Sequence, residues 1–104
     1  MVLSLIMKKM PPEIQHLNLV VNFIKEGKQV IAYSPALDLS TVGNSESEAR
    51  KMFQEVVKVF FEDISKRNVT AEVLTELGWK RASTKSEWIP PEVKSVEMTV
   101  PVTA

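Results

Sequence analysis

A chain of 104 residues, 44% apolar and 25% charged, has the size and balance of one globular domain, which excludes wholesale disorder and a second core of similar size. Thirteen basic residues offset thirteen acidic ones, so the chain lacks the cationic excess through which nucleic-acid binders neutralise phosphates and release counterions. It contains no cysteine, which excludes disulfides, thiolate nucleophiles and sulfur-ligated metal.

In residues 1–9 a short apolar run precedes two lysines, the reverse of the order in a secretory leader. No later stretch approaches the ~20 apolar residues of a membrane span. The expected compartment is the cytoplasm. Residues 14–25 then alternate: Leu17, Leu19, Val21 and Phe23 share one parity, while His16, Asn18 and Asn22 take the other. This period of two predicts a long first strand, closed by a tight turn at Glu26-Gly27. A second strand is predicted over 29–34, with Ile31 and Tyr33 on one face and Val30 and Ala32 on the other; Pro35, having no N–H, ends it. Residues 37–42 read as a third short strand, stopped by Gly43. Three successive strands with short connections predict an antiparallel meander.

The main helix is announced by Ser45 as N-cap and Glu48 three residues on, a capping box, with Glu46 adding negative charge at the positive end of the helix dipole. Ala49, Met52, Phe53, Val56, Phe60 and Ile64 form its apolar stripe, and Lys66-Arg67-Asn68 its expected end. Val57, Val59 and Phe61 widen the apolar arc beyond the ~100° that one sheet covers. A second helix, the C-terminal strand or another subunit must cover that flank. Thr70 is placed to cap a short second helix over 71–77, with Gly78 as its stop. Residues 79–92 show no regular pattern. Over 93–102 the alternation returns, with Val96, Met98, Val100 and Val102 on one parity, and predicts a last strand. The expected fold is therefore α+β: a three-stranded antiparallel meander packed on one main helix, followed by a short helix and a C-terminal strand. One domain spans 1–104, with its core in 13–79 and a loop plus strand in 80–104.

The succession Tyr33-Ser34-Pro35-Ala36-Leu37, then Gly43, Ser45, Glu48 and Ala49, resembles the HicB antitoxin family. There a strand runs into a proline and leucine segment, and a glycine, a capping hydroxyl and a Glu-Ala pair open the main helix. The stretch Asn68 to Trp79 is similar to the short second helix of some relatives, so the resemblance covers roughly 17–79. It implies a truncated ribonuclease H-like core, no catalysis, and a HicA-like partner, a small RNA-cleaving toxin silenced by stoichiometric binding. It assigns structural roles to Pro35, Leu37, Gly43, Ser45, Glu48 and Ala49. After Trp79, a loop and strand stand where many relatives carry a helix-turn-helix or ribbon-helix-helix domain, so operator DNA is not an expected partner. An alternating terminal strand is suited instead to pairing with a second subunit, and a dimer or dimer of dimers is expected.

The residues that could carry chemistry have simpler readings. His16 is the chain's one histidine and lies among polar neighbours, whereas a metal site or a histidine-dependent nuclease needs several converging groups. Asp38, Glu48, Glu62 and Asp63 invite a two-metal reading, yet Glu48 is accounted for by capping and the last two lie on the polar side of the helix. No catalytic, metal-binding or cofactor-binding residue is expected. Trp79 and Trp88 bracket a segment holding Lys80, Arg81 and Lys85. This is an arrangement of core or oligomer anchors, of toxin contacts, or of base-stacking rings. Val57, Phe61, Trp79 and Trp88 are the candidate partner or oligomer contacts. The expected function is that of an antitoxin; the alternatives are an orphan structural or regulatory homodimer and a weak RNA-binding module.

Overall fold

The structure, a computed structural model, describes residues 17–82 and 87–103. Its elements run β1 (Asn22–Glu26), β2 (Gln29–Ser34), β3 (Leu39–Gly43), α1 (Glu46–Lys66), α2 (Thr70–Glu76), β4 (Lys80–Arg81) and β5 (Trp88–Ile89). β1, β2 and β3 form an antiparallel sheet in that order, and β4 pairs with β5. The chain thus has the expected α+β architecture, a meander packed on one main helix with a short second helix. The further strand pair stands at 80–81 and 88–89, where the sequence suggested irregular chain.

β2 occupies the predicted residues because its ends are fixed chemically. On one side, Gly27 (φ 62) leads the two-residue turn that sets Glu26 opposite Gln29, one residue later than expected. On the other, Pro35 cannot donate to a ladder. That limit also shortens β1. Asn22 pairs with Tyr33, and beyond Ser34 no β2 residue remains to pair with 17–21, so the expected strand over 14–25 begins only at Asn22; residues 14–16 lie outside the described part. Its parity persists nonetheless: Leu17, Leu19, Val21 and Phe23 all pack towards the core. β3 is displaced from 37–42 to Leu39–Gly43 because residues 35–38 form a turn, with Asp38 in the left-handed region at φ 52.

α1 lies across β2 and β3. Ser45 Oγ accepts from the Glu48 N–H at 3.1 Å, while Glu48 Oε1 accepts from the N–H of Asn44 at 2.7 Å. The reciprocal bond therefore reaches one residue before the cap rather than the cap itself. The helix stops through Asn68 (φ 56), whose N–H bonds Ser65 O at 3.1 Å, while Val69 N–H bonds Ile64 O at 3.0 Å. This is a Schellman closure, with the apolar Val69 against Ile64. α2 ends the same way: Gly78 (φ 92) bonds Thr75 O at 3.0 Å, and Trp79 N–H bonds Leu74 O at 2.9 Å. Thr70 does not cap α2; the cap position is Val69, which makes no side-chain bond.

The core has two parts. Val30, Ala32, Ala49 and Phe53 form one beneath the first half of α1. Ala36, Leu37, Ile64, Leu74 and Trp79 form the other beneath its second half, and Val57 and Leu39 touch both. α2 and Trp79 thus cover the flank that spacing left unassigned. Met52 and Val59 remain outside, 44% and 59% exposed. No described helix is long and apolar enough to cross a membrane. The expected C-terminal strand over 93–102 pairs with no described residue of its own chain, and 94–103 are exposed throughout. The alternation is there, but the ladder partner is not.

Two buried contacts hold this arrangement. A Cβ added at Gly43 would stand 2.6 Å from Ala49 N and 2.9 Å from Ala49 Cα, so only glycine lets the start of α1 rest directly on β3. There Thr41 Oγ1 donates to Ala49 O at 3.1 Å. The Trp79 indole, 3% exposed, donates from Nε1 to Ala36 O at 2.8 Å. Gly43→Ala is expected to lower unfolding free energy by roughly 1–3 kcal/mol, since backbone rather than a flexible side chain must yield. Trp79→Phe is expected to cost about 2–4 kcal/mol, from an orphaned carbonyl plus lost volume. Chemical denaturation followed by helical circular dichroism checks both.

Candidate functional site

One face of the sheet is covered by α1; the other carries a surface of distinct composition. Register puts Ile24 opposite Ile31 and Ile31 opposite Val42, a single aliphatic row across all three strands. Ile24 and Val42 are 47% and 43% exposed. Polar rows flank it: Glu26 and Gln29 towards the hairpin tip, and Asn22, Tyr33 and Ser40 on the other side. Alternation generates this face directly. Val30, Ala32 and Ser34 turn inward, so Ile31 and Tyr33 must turn outward. An apolar centre within a polar rim, with a tyrosine at its margin, has the anatomy of a protein interface.

Tyr33 is fixed in place. Its hydroxyl donates to Asp38 Oδ1 at 3.0 Å, and the left-handed backbone at Asp38 turns the carboxylate back over β2. Asp and Asn tolerate that conformation better than most residues. The hydrogen bond, then desolvation and the carboxylate's charge, hold the phenol above its ordinary pKa of 10.0.

The acidic residues that suggested metal chemistry are dispersed. Asp38 accepts from Tyr33, Glu48 caps α1, and Asp63 pairs with Arg67 at 3.0 Å. Among the described residues no three His, Asp or Glu side chains stand together as a metal site would require. His16 and Lys85 lie outside the described residues. A hollow of about 450 Å³ at the start of α1 is bordered by Lys25 and Lys28. The helix N-terminus there is already served by its own Ser45 and Glu48.

The four candidate contact residues separate. Trp79 is an interior anchor with almost no surface to offer. Phe61 meets Trp79 edge to face at 6.1 Å between ring centroids and joins the second core part, while Val57 is half-buried between the two parts. Trp88 is half-buried opposite Arg81, whose guanidinium lies 4.9 Å above the ring centroid. The residues with open apolar surface are others: Val20 before β1, Ile24 and Val42 on the sheet, Met52 and Val59 on α1, Ile89 on β5, and the alternating valines and Met98 of the C-terminal segment. The outward parity of Ile31 and Tyr33 was readable from the sequence. The complete row, and the tie to Asp38, needed the register.

Comparison with known proteins finds no matching family model, no matching curated protein and no matching solved structure.

The chain has a single tyrosine, so phenolate absorbance reports Tyr33 alone. Because the neutral phenol is favoured in the folded state, the stability it contributes is complete below pH 10 and is lost as pH rises through the elevated value. Its midpoint is expected above 10, and Asp38→Asn is expected to move it down towards the ordinary value. Identical midpoints in the two proteins would disprove the coupling.

Proposed function

We propose that this chain is a HicB-like antitoxin, a non-catalytic binding domain that neutralises a small HicA-like RNA-cleaving toxin by stoichiometric association. The observation that carries the reading is the Ile24–Ile31–Val42 row, an apolar strip that no described residue covers, within a polar rim on the face opposite α1. Such a surface does its work by excluding water against a complementary partner. An inhibitor of this kind needs only to cover the toxin's active face or block RNA access, and a standard interface of roughly 1,200–2,000 Å² in total suffices. The motif residues suit this role indirectly: Gly43, Ser45, Glu48 and Ala49 seat α1 on the sheet, while Pro35 and Leu37 shape the turn that carries Asp38 to Tyr33. The resemblance over 17–79 supplies the partner class.

A second reading is an orphan structural or regulatory homodimer, favoured by the apolar alternation after Val93, which pairs with no described residue. The RNA-binding reading retains the least support, because Trp79 is interior and Trp88 is already stacked with Arg81.

Co-expression with the adjacent gene product, followed by pull-down and a growth-rescue assay, tests the antitoxin role. The expected result is a stoichiometric complex and restored growth. Ile24→Asp, at an exposed position on the row, is expected to weaken the complex at least ~10-fold while leaving helical content unchanged. Absence of both complex and rescue would rule out the role for that pair.

A further inference from the structure

Two unsatisfied features sit on the same molecule. The first is the segment after Pro91. Pro91 packs beside Gly78, its ring carbons 3.8–3.9 Å from where a glycine Cβ would stand. The following residues leave the body of the domain. Val96, Met98, Val100 and Val102, all of one parity, are 61%, 71%, 60% and 82% exposed. Pro90 and Pro91 bias the residues before them, Ile89 and Pro90, towards extended backbone, so the segment departs as a strand-like arm. A period of two over eight residues is the pattern of a strand with one covered face, yet nothing described in its own chain covers it.

The second feature is the edge of β3, which pairs with no further strand among the described residues. The sheet order leaves β1 and β3 as edges. β1 carries Lys25 and Glu26, the kind of charge that protects an edge from pairing, whereas β3 is Leu39-Ser40-Thr41-Val42-Gly43 with no charge and no proline. Beside that edge the helix is also open. Arg50 lies 5.0 Å over the Phe23 ring of β1, so this flank of α1 faces β1. At 100° per residue, Met52, Val56 and Val59 fall on the opposite flank, above β3.

We propose that residues 95–100 of one copy, ending before Pro101, add as a strand to the β3 edge of a second copy, reciprocally, to form a two-fold dimer. The arm's apolar parity then lies under the Met52, Val56 and Val59 flank of the other chain. Its polar parity, Ser95, Glu97 and Thr99, faces outward beside Ser40 and Val42. Six residues at ~3.3 Å each span ~20 Å, more than the five residues of β3 require. Zero net charge sets no long-range repulsion between the copies. A second copy is favoured over an unrelated partner because the unpaired strand and the unprotected edge occur together on one chain, so one exchange satisfies both. The proposal stands apart from the toxin-binding reading, which uses the opposite parity of the sheet.

The test uses the full chain and Val96→Asp/Val100→Asp in the full chain, compared by light scattering and amide hydrogen exchange. The wild type is expected at twice the monomer mass, with exchange in residues 39–43 at least ~10-fold slower than in the variant. The variant is expected to be monomeric with unchanged helical content, since both positions are exposed in the single chain, and Met98→Lys is expected to behave alike. A monomeric wild type, a dimer indifferent to these substitutions, or protection gained at residues 22–26 in place of 39–43 would overturn the proposal.

Discussion

The rest of the molecule depends on how closely α1 approaches β3. With no side chain at Gly43, the backbone of Ala49 can sit directly on the strand, and Thr41 fastens that contact with a hydrogen bond to Ala49 O. The orientation of α1 follows. Phe53 and Val57 are delivered over Val30 and Ala32, Arg50 is turned towards Phe23, and Met52 and Val59 are left on the side of the β3 edge. The same contact commits the inner parity of β2 to the core. Ile31 and Tyr33 are thereby placed on the open face. Site and fold are two sides of one alternation.

The second half of the core is organised by stops rather than by a strand. Asn68 and Gly78 each take the left-handed conformation that closes a helix, and each closure presses the next apolar residue back onto the last turn. At α1 that residue is Val69; at α2 it is Trp79. The second closure thus aims the indole at the β2–β3 connection, where Ala36 O receives its N–H. A short helix with no side-chain cap of its own is held by this tertiary bond and by Leu74, which is fully buried.

What could be read from the sequence was whatever local chemistry punctuates. Gly27 and Pro35 bound β2 on both sides, and Ser45, Glu48 and Asn68 bound α1, so these two elements stand where patterning put them. Alternation alone misled at both ends of the chain, because parity records which way side chains turn and not whether a neighbouring strand exists. Residues 17–21 keep the parity of β1 without its ladder, and 93–102 keep the parity of a strand without a partner among the described residues. The start of β3 moved by two residues because Asp38, with no glycine to mark it, adopts a positive φ. For the site, the outward face of Ile31 and Tyr33 was legible, while the row through Ile24 and Val42 required the register. Trp79 was ambiguous for a similar reason. Its partner lies 43 residues away, beyond the reach of any helical or strand period.

That separation bears on how costly each part of the core is to close. The first core part is drawn from a contiguous stretch, residues 21–57, whose hairpins and helix start close only short loops. Docking the indole onto Ala36 instead encloses a loop of 43 residues, with a closure entropy of about 3 kcal/mol beyond the constant term. Loop length therefore makes the meander and the front of α1 the less costly part to close, and the latch made by α2 and Trp79 the more costly one. With that latch open, Leu37, Phe61 and Ile64 would lose the cover that α2 and the indole give them.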